Sequence, residues 1–186
     1  IDGCTIRFGQ RGIWFKSNGS DVCNDNIIEN CTLRDNYEST WTFTDIKSIT
    51  PKKMDGLGII QASPGTGNIF RYNDCSGFYH QIAWQRTQSA APYVDGTLCY
   101  GNTIHDSRSD AISTEEYFEN LEIFDNYIYD VHVAFAFTPV RLGPVYFYRN
   151  RCVCDKSTTE TGDGRGTQRS SGDPVDQVYI YHNTIF

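Results

Sequence analysis

Leu121-Glu-Ile-Phe-Asp-Asn126-Tyr-Ile128 and, 24 residues later, Val145-Tyr-Phe-Tyr-Arg-Asn150-Arg-Cys152 read as two copies of one unit. Three more segments repeat it: Asn68-Ile-Phe-Arg-Tyr-Asn73-Asp-Cys75, Thr97-Leu-Cys-Tyr-Gly-Asn102-Thr-Ile104 and Val178-Tyr-Ile-Tyr-His-Asn183-Thr-Ile185. Each places an apolar residue three before the Asn and another two after it. Gly3-Cys4-Thr5-Ile6 and Asn30-Cys31-Thr32-Leu33 fit if Cys stands for Asn. The key positions are therefore 4, 31, 73, 102, 126, 150 and 183, and the shortest interval, 24, marks the bare repeat. Alternating apolar residues before the Asn predict a short strand with one buried face. The Asn predicts a turn, because it tolerates left-handed geometry and bonds to nearby backbone. No single unit can bury its own apolar face, so the units must stack, with the asparagines in a ladder along the axis.

Composition agrees. The chain has 186 residues, enough for one domain with a sizeable core. Aromatic residues make up 14%, with 12 Tyr and 11 Phe, which suits pleated sheets rather than helices. The formal net charge is −7, from 16 Lys+Arg against 23 Asp+Glu. That balance argues against tracking nucleic-acid phosphates and against docking on an anionic membrane. No apolar run approaches a membrane span. The seven Cys include no CxxC pair. They read either as buried free thiols acting as small hydrophobes or as one or two disulfides of a secreted protein.

The pattern resembles the right-handed parallel β-helix of the pectate-lyase-like superfamily, over nearly the whole chain. The expected fold is thus all-β, a right-handed parallel β-helix of about seven rungs spanning residues 1–186. Inserted loops fall near 42–57, 88–95 and 155–174. The last, rich in Gly, Ser and Thr, reads as a flexible loop. Both chain ends fall inside a repeat, so further rungs or an end-to-end partner are expected to cover them. The resemblance implies an extracellular or cell-surface protein whose partner is a polysaccharide, with the substrate in a groove on one outer face walled by loops.

Counting from the key positions stacks the outer residues. Seven places on come Arg11, Glu38, His80, Ser109 and Val133; eight on come Gly12, Ser39, Gln81, Asp110 and Ala134. Glu38, His80, Gln81, Arg108 and Asp110 are therefore expected to cluster on the outside of neighbouring rungs. Arg86, Glu115 and Glu116 should rim the same face, and Trp84 and Tyr117 offer flat surfaces for sugar rings. Eliminating a uronate needs a cation for the substrate carboxylate, a base for the α-proton and an acid for the leaving oxygen. His80, Arg108 and Lys53 are the candidate catalytic residues. Glu38, Gln81, Trp84, Arg86, Asp110, Glu115 and Tyr117 are candidate substrate contacts, with Asp110 or Glu115 able to orient the others or to hold a cation such as calcium. The competing expectation is a non-enzymatic stalk, adhesin or spike segment. The chain carries neither the Asp-Asp and Gly-His-Gly signatures of polygalacturonase-like hydrolases nor the Trp-Ile-Asp-His and Arg-x-Pro-x-x-Arg patterns of pectate lyases.

Overall fold

A computed structural model describes residues 1–7, 11–16, 21–34, 56–86, 93–154, 165–169 and 176–186. Among them are twenty strands and no helix. In the first half these are β1 (Thr5–Arg7), β2 (Arg11–Phe15), β3 (Ile27–Glu29), β4 (Thr32–Arg34), β5 (Leu57–Gln61), β6 (Gly65–Thr66), β7 (Ile69–Arg71), β8 (Asp74–Ser76), β9 (His80–Arg86) and β10 (Val94–Asp95). Then follow β11 (Leu98–Tyr100), β12 (Thr103–Glu116), β13 (Phe118–Glu119), β14 (Leu121–Phe124), β15 (Tyr127–Val140), β16 (Val145–Tyr148), β17 (Arg151–Val153), β18 (Arg165–Arg169), β19 (Val178–Tyr181) and β20 (Thr184–Ile185).

Every strand pairing is parallel, in three sheets that give a solenoid-like arrangement compatible with a parallel β-helix. The strands before the key residues form one stack, β3-β7-β11-β14-β16-β19. The strands after them form another, β1-β4-β8-β12-β15-β17-β20, which continues sideways through β2, β5, β9 and β18. A small third sheet is β6-β10-β13.

The core follows from the repeat. Two places after the key residue, Ile6, Leu33, Cys75, Ile104, Ile128, Cys152 and Ile185 pair strand to strand. Three places before it, Ile28, Phe70, Cys99, Ile123, Phe147 and Ile180 do the same. The inner members of both columns are fully buried, so each strand adds one apolar layer. All seven cysteines are free thiols, and Cys31, Cys75, Cys99 and Cys152 are buried. Desolvation pushes the Cys75 and Cys99 thiols well up and that of Cys152 to about 12.

The asparagines form the expected ladder. Asn73, Asn102, Asn126 and Asn150 each donate Nδ2 to Oδ1 of the next Asn, at 2.9–3.1 Å, ending at Asn183. Each of those Oδ1 atoms also accepts the backbone N–H of the preceding key residue, beginning with Asn102 accepting from Asn73. The second Nδ2 hydrogen goes to a strand carbonyl: Ile28 for Asn73, Phe70 for Asn102, Cys99 for Asn126 and Ile123 for Asn150. Every amide hydrogen of these buried side chains is thereby used, which is what burial of a polar group requires. The left-handed residue is not the Asn, as expected, but the one before it. Gly3, Asn30, Tyr72, Gly101, Asp125, Arg149 and His182 all have φ between 50° and 66°. Forcing Tyr, Arg and His there costs roughly 1–2 kcal/mol each, and the ladder bonds that the bend permits offset it.

Three boundaries differ from the expectation. Leu57 opens β5 rather than closing a loop, Val94–Asp95 is β10, and β18 runs at 165–169 inside the segment read as a flexible loop, paired to β15. Residues 35–55, 87–92 and 155–164 lie outside the described residues.

Candidate functional site

The widest face is built on β9, β12 and β15, the longest strands. Its register decides where the candidate residues go. Arg11 pairs with Leu57, and Leu57 with His80. The row slot assigned to Glu38 by counting from Cys31 thus belongs to Leu57, because the intervening insertion precedes β5 rather than following it. Glu38 and Lys53 themselves lie outside the described residues.

Between Ser107 and Asp110, β12 carries one more residue than β15: Ser107 faces Val131, and Asp110 faces Val133. This bulge holds Arg108 and Ser109. It moves Asp110 from the row of Gln81 into the row of His80, one place from where spacing put it. The His80 Nδ1 and Asp110 Oδ2 atoms are 3.1 Å apart, with side-chain exposures of only 10% and 16%. The Tyr79 ring meets the imidazole edge-on at 4.5 Å. Nδ1 makes no well-aligned hydrogen bond, so the contact is an ion-pair distance rather than a directed bond. Further along β12, Glu115 accepts hydrogen bonds from Ser113 Oγ at 3.1 Å and Gln85 Nε2 at 3.4 Å.

Two expected surface residues are corrected. Trp84 is fully buried and stacks on Phe70 at 5.7 Å, so it presents no face to a sugar. Gln81 is also fully buried and donates Nε2 to the Phe78 carbonyl at 2.9 Å, bracing the turn before β9. Arg86 ends β9 opposite Glu116, which Arg141 engages at 2.6 Å. Tyr117 is half-buried, parallel to Tyr93 at 6.3 Å with the Arg141 guanidinium 5.8 Å from its ring centre. The structure thus brings together His80 and Asp110, and separately Glu115, Ser113 and Gln85. No group of three or more His, Cys, Asp or Glu gathers among the described residues to hold a metal ion.

Sequence reasoning missed the outer aromatic columns. Tyr100, Phe124, Tyr148 and Tyr181 stack along the axis at 4.9–5.1 Å, within 11° of parallel. Tyr146 and Tyr179 form a second column at 5.2 Å. The signal was present, since these residues lie two and four places before the key Asn. A hollow of about 440 Å³ opens beside them, lined by Asn120, Glu122, Tyr146 and Tyr181. Tyr148 donates its hydroxyl to Glu122 at 2.7 Å, and burial together with that carboxylate pushes the phenol up to about 12. On the third sheet, Asp95 and Glu119 are paired in register in a hollow of about 290 Å³ that also includes Val22, Asn24, Thr66 and Tyr93.

The chain matches no family model, and neither curated proteins nor solved structures yield a significant match.

Proposed function

We propose that the chain is a right-handed parallel β-helix of seven rungs that binds and cleaves acidic polysaccharide at the cell surface or outside it, by β-elimination. Seven strands in one parallel series, β1 to β20, support the fold. The observation that carries the activity is the approach of His80 to Asp110 across β9 and β12, beside the bulge that holds Arg108. A bulge next to paired titratable groups is a recurrent way to re-aim a side chain at a reacting centre.

In this reading Asp110 lies 3.1 Å from Nδ1 and favours the charge that the imidazole gains when Nε2 takes the proton α to the uronate carboxylate. The C–O bond to the leaving sugar then breaks, its oxygen takes a proton from water, His80 gives its own proton back to solvent, and an unsaturated uronate results. Arg108 and Lys53 neutralise the carboxylate, which stabilises the carbanion-like transition state. Glu115, Ser113 and Gln85 supply acceptors and donors for sugar hydroxyls. Arg86 and Tyr117 flank that strip.

The test is ultraviolet detection of unsaturated product on a panel of polyuronates, with and without calcium. Wild type should give signal, and His80→Gln and Asp110→Asn should each lower it at least about a hundredfold, the scale of one acid–base group. Absence of signal on every substrate removes the lyase reading. A second reading, a non-enzymatic adhesive or stalk module, is favoured by the columns of stacked rings. Their facing surfaces cover one another, which rigidifies the coil.

A further inference from the structure

Three arginines of this acidic chain are neutralised in place. Arg71 pairs with Glu29, Arg141 with Glu116 and Arg149 with Asp125, each within 2.7 Å. Arg11 and Lys16 are held differently. No carboxylate among the described residues pairs with either. Both are instead gathered on one indole: the Arg11 guanidinium is 3.7 Å from the Trp14 ring centre and the Lys16 ammonium 4.7 Å. Trp14 is 41% exposed, although a Trp is costly to leave in water. Two like charges drawn onto one ring repel each other, and an anion beside them eases the cluster.

The position matters as much as the composition. Arg11 stands in the same register row as Leu57 and His80. It lies two strands from the imidazole, about 10 Å at the usual strand spacing. We infer that Arg11, Lys16 and Trp14 form a subsite for a carboxylate-bearing sugar of the same polysaccharide chain whose cleavage is assigned to His80. The inference rests on that assignment and specifies the ligand as acidic at this distance from the reacting unit. Arg11 offers a planar fork for the carboxylate, Lys16 adds a mobile point charge, and Trp14 holds both cations in place.

The experiment measures calorimetric binding of oligogalacturonate, and of its methyl ester, to wild type, Arg11→Ala/Lys16→Ala, Trp14→Phe and His80→Gln. All three altered side chains of the cluster are exposed or border solvent, so the variants should fold, which circular dichroism checks. The double variant should bind the acid at least tenfold more weakly, about the worth of one charge-assisted contact, and bind the ester like wild type. Trp14→Phe, which keeps a ring for the cations, should lose less. Unchanged binding of the acid by the double variant overturns the subsite while leaving the lyase reading intact, as does equal loss for acid and ester. Charge-dependent binding without ultraviolet signal from wild type supports the subsite and removes only the lyase reading. No binding of the acid to wild type overturns the subsite.

Discussion

Replacing Asn126 with Ala removes the middle of the ladder. Its Oδ1 accepts from the Asn102 backbone N–H and from Asn102 Nδ2, at 3.0 and 2.9 Å. Its Nδ2 donates to the Cys99 carbonyl and to Asn150 Oδ1, at 3.1 and 2.9 Å. Four bonds at roughly 0.5–1.5 kcal/mol net give about 2–6 kcal/mol. The site is buried, with Asn126 at 2% exposure, so water cannot replace the lost partners, and the cost should be about 4 kcal/mol. Asn183 is a control. It also carries ladder bonds, but it is half-buried and water can replace lost partners there, so Asn183→Ala should cost roughly half as much or less. Urea unfolding followed by circular dichroism reads both. The Asn126 variant should lower the midpoint by more than about 1 M. A loss below about 1 kcal/mol, or equal losses at the two sites, would refute the reasoning that buried amide stacking, and not the strands alone, holds the units in register.

Trp84→Ala should destabilise by about 3–5 kcal/mol through the cavity it leaves, which thermal unfolding would show, whereas a surface sugar platform would cost little stability. Glu122→Gln should lower the Tyr148 phenol from about 12, as read by ultraviolet phenolate titration, since one of the groups holding it neutral loses its charge. Because the folded-state value is raised above the ordinary phenol value, this group favours folding below that ordinary value. Its contribution fades as pH climbs toward 12, so Glu122→Gln should flatten the alkaline limb of the stability curve. Thiol labelling at mildly alkaline pH should modify exposed Cys4 first and leave Cys75 and Cys99 untouched until the chain is denatured, because burial disfavours their thiolates.

The parts of the fold legible in the sequence are those locked to the key residue. The apolar columns three before and two after it were readable because no insertion separates them from the Asn. Legibility failed wherever the count crossed an insertion or an irregularity. Glu38 was placed in the row that Leu57 fills, since spacing cannot tell on which side of a strand an inserted loop lies. Asp110 was one place off because a bulge adds a residue that no pattern announces. Trp84 was read as a surface platform because aromatic residues suit both faces of a sheet, and only the register with β12 turns it inward. The left-handed slot was assigned to the Asn on propensity, yet the ladder needs the Asn side chain directed along the stack. The bend therefore falls on its neighbour, even when that neighbour is Tyr, Arg or His. A second Asn pair, Asn26 donating to Asn68 at 3.0 Å, went unread although its interval of 42 repeats that of Cys31 and Asn73. It stops there because the next positions in that column are Thr97, Leu121 and Val145.

The central claim is that the units climb one strand per repeat in unbroken parallel register. Thr32, Asp74, Thr103, Tyr127, Arg151 and Thr184 occupy one row on successive strands. Pulsed electron resonance between a spin label at Thr32 and labels at Tyr127, Arg151 or Thr184 measures this directly. The account predicts distances rising by equal steps to about 14, 19 and 24 Å, with allowance for the label arms. Distances that fail to rise in that order, or that fall back as a hairpin would make them, would contradict it.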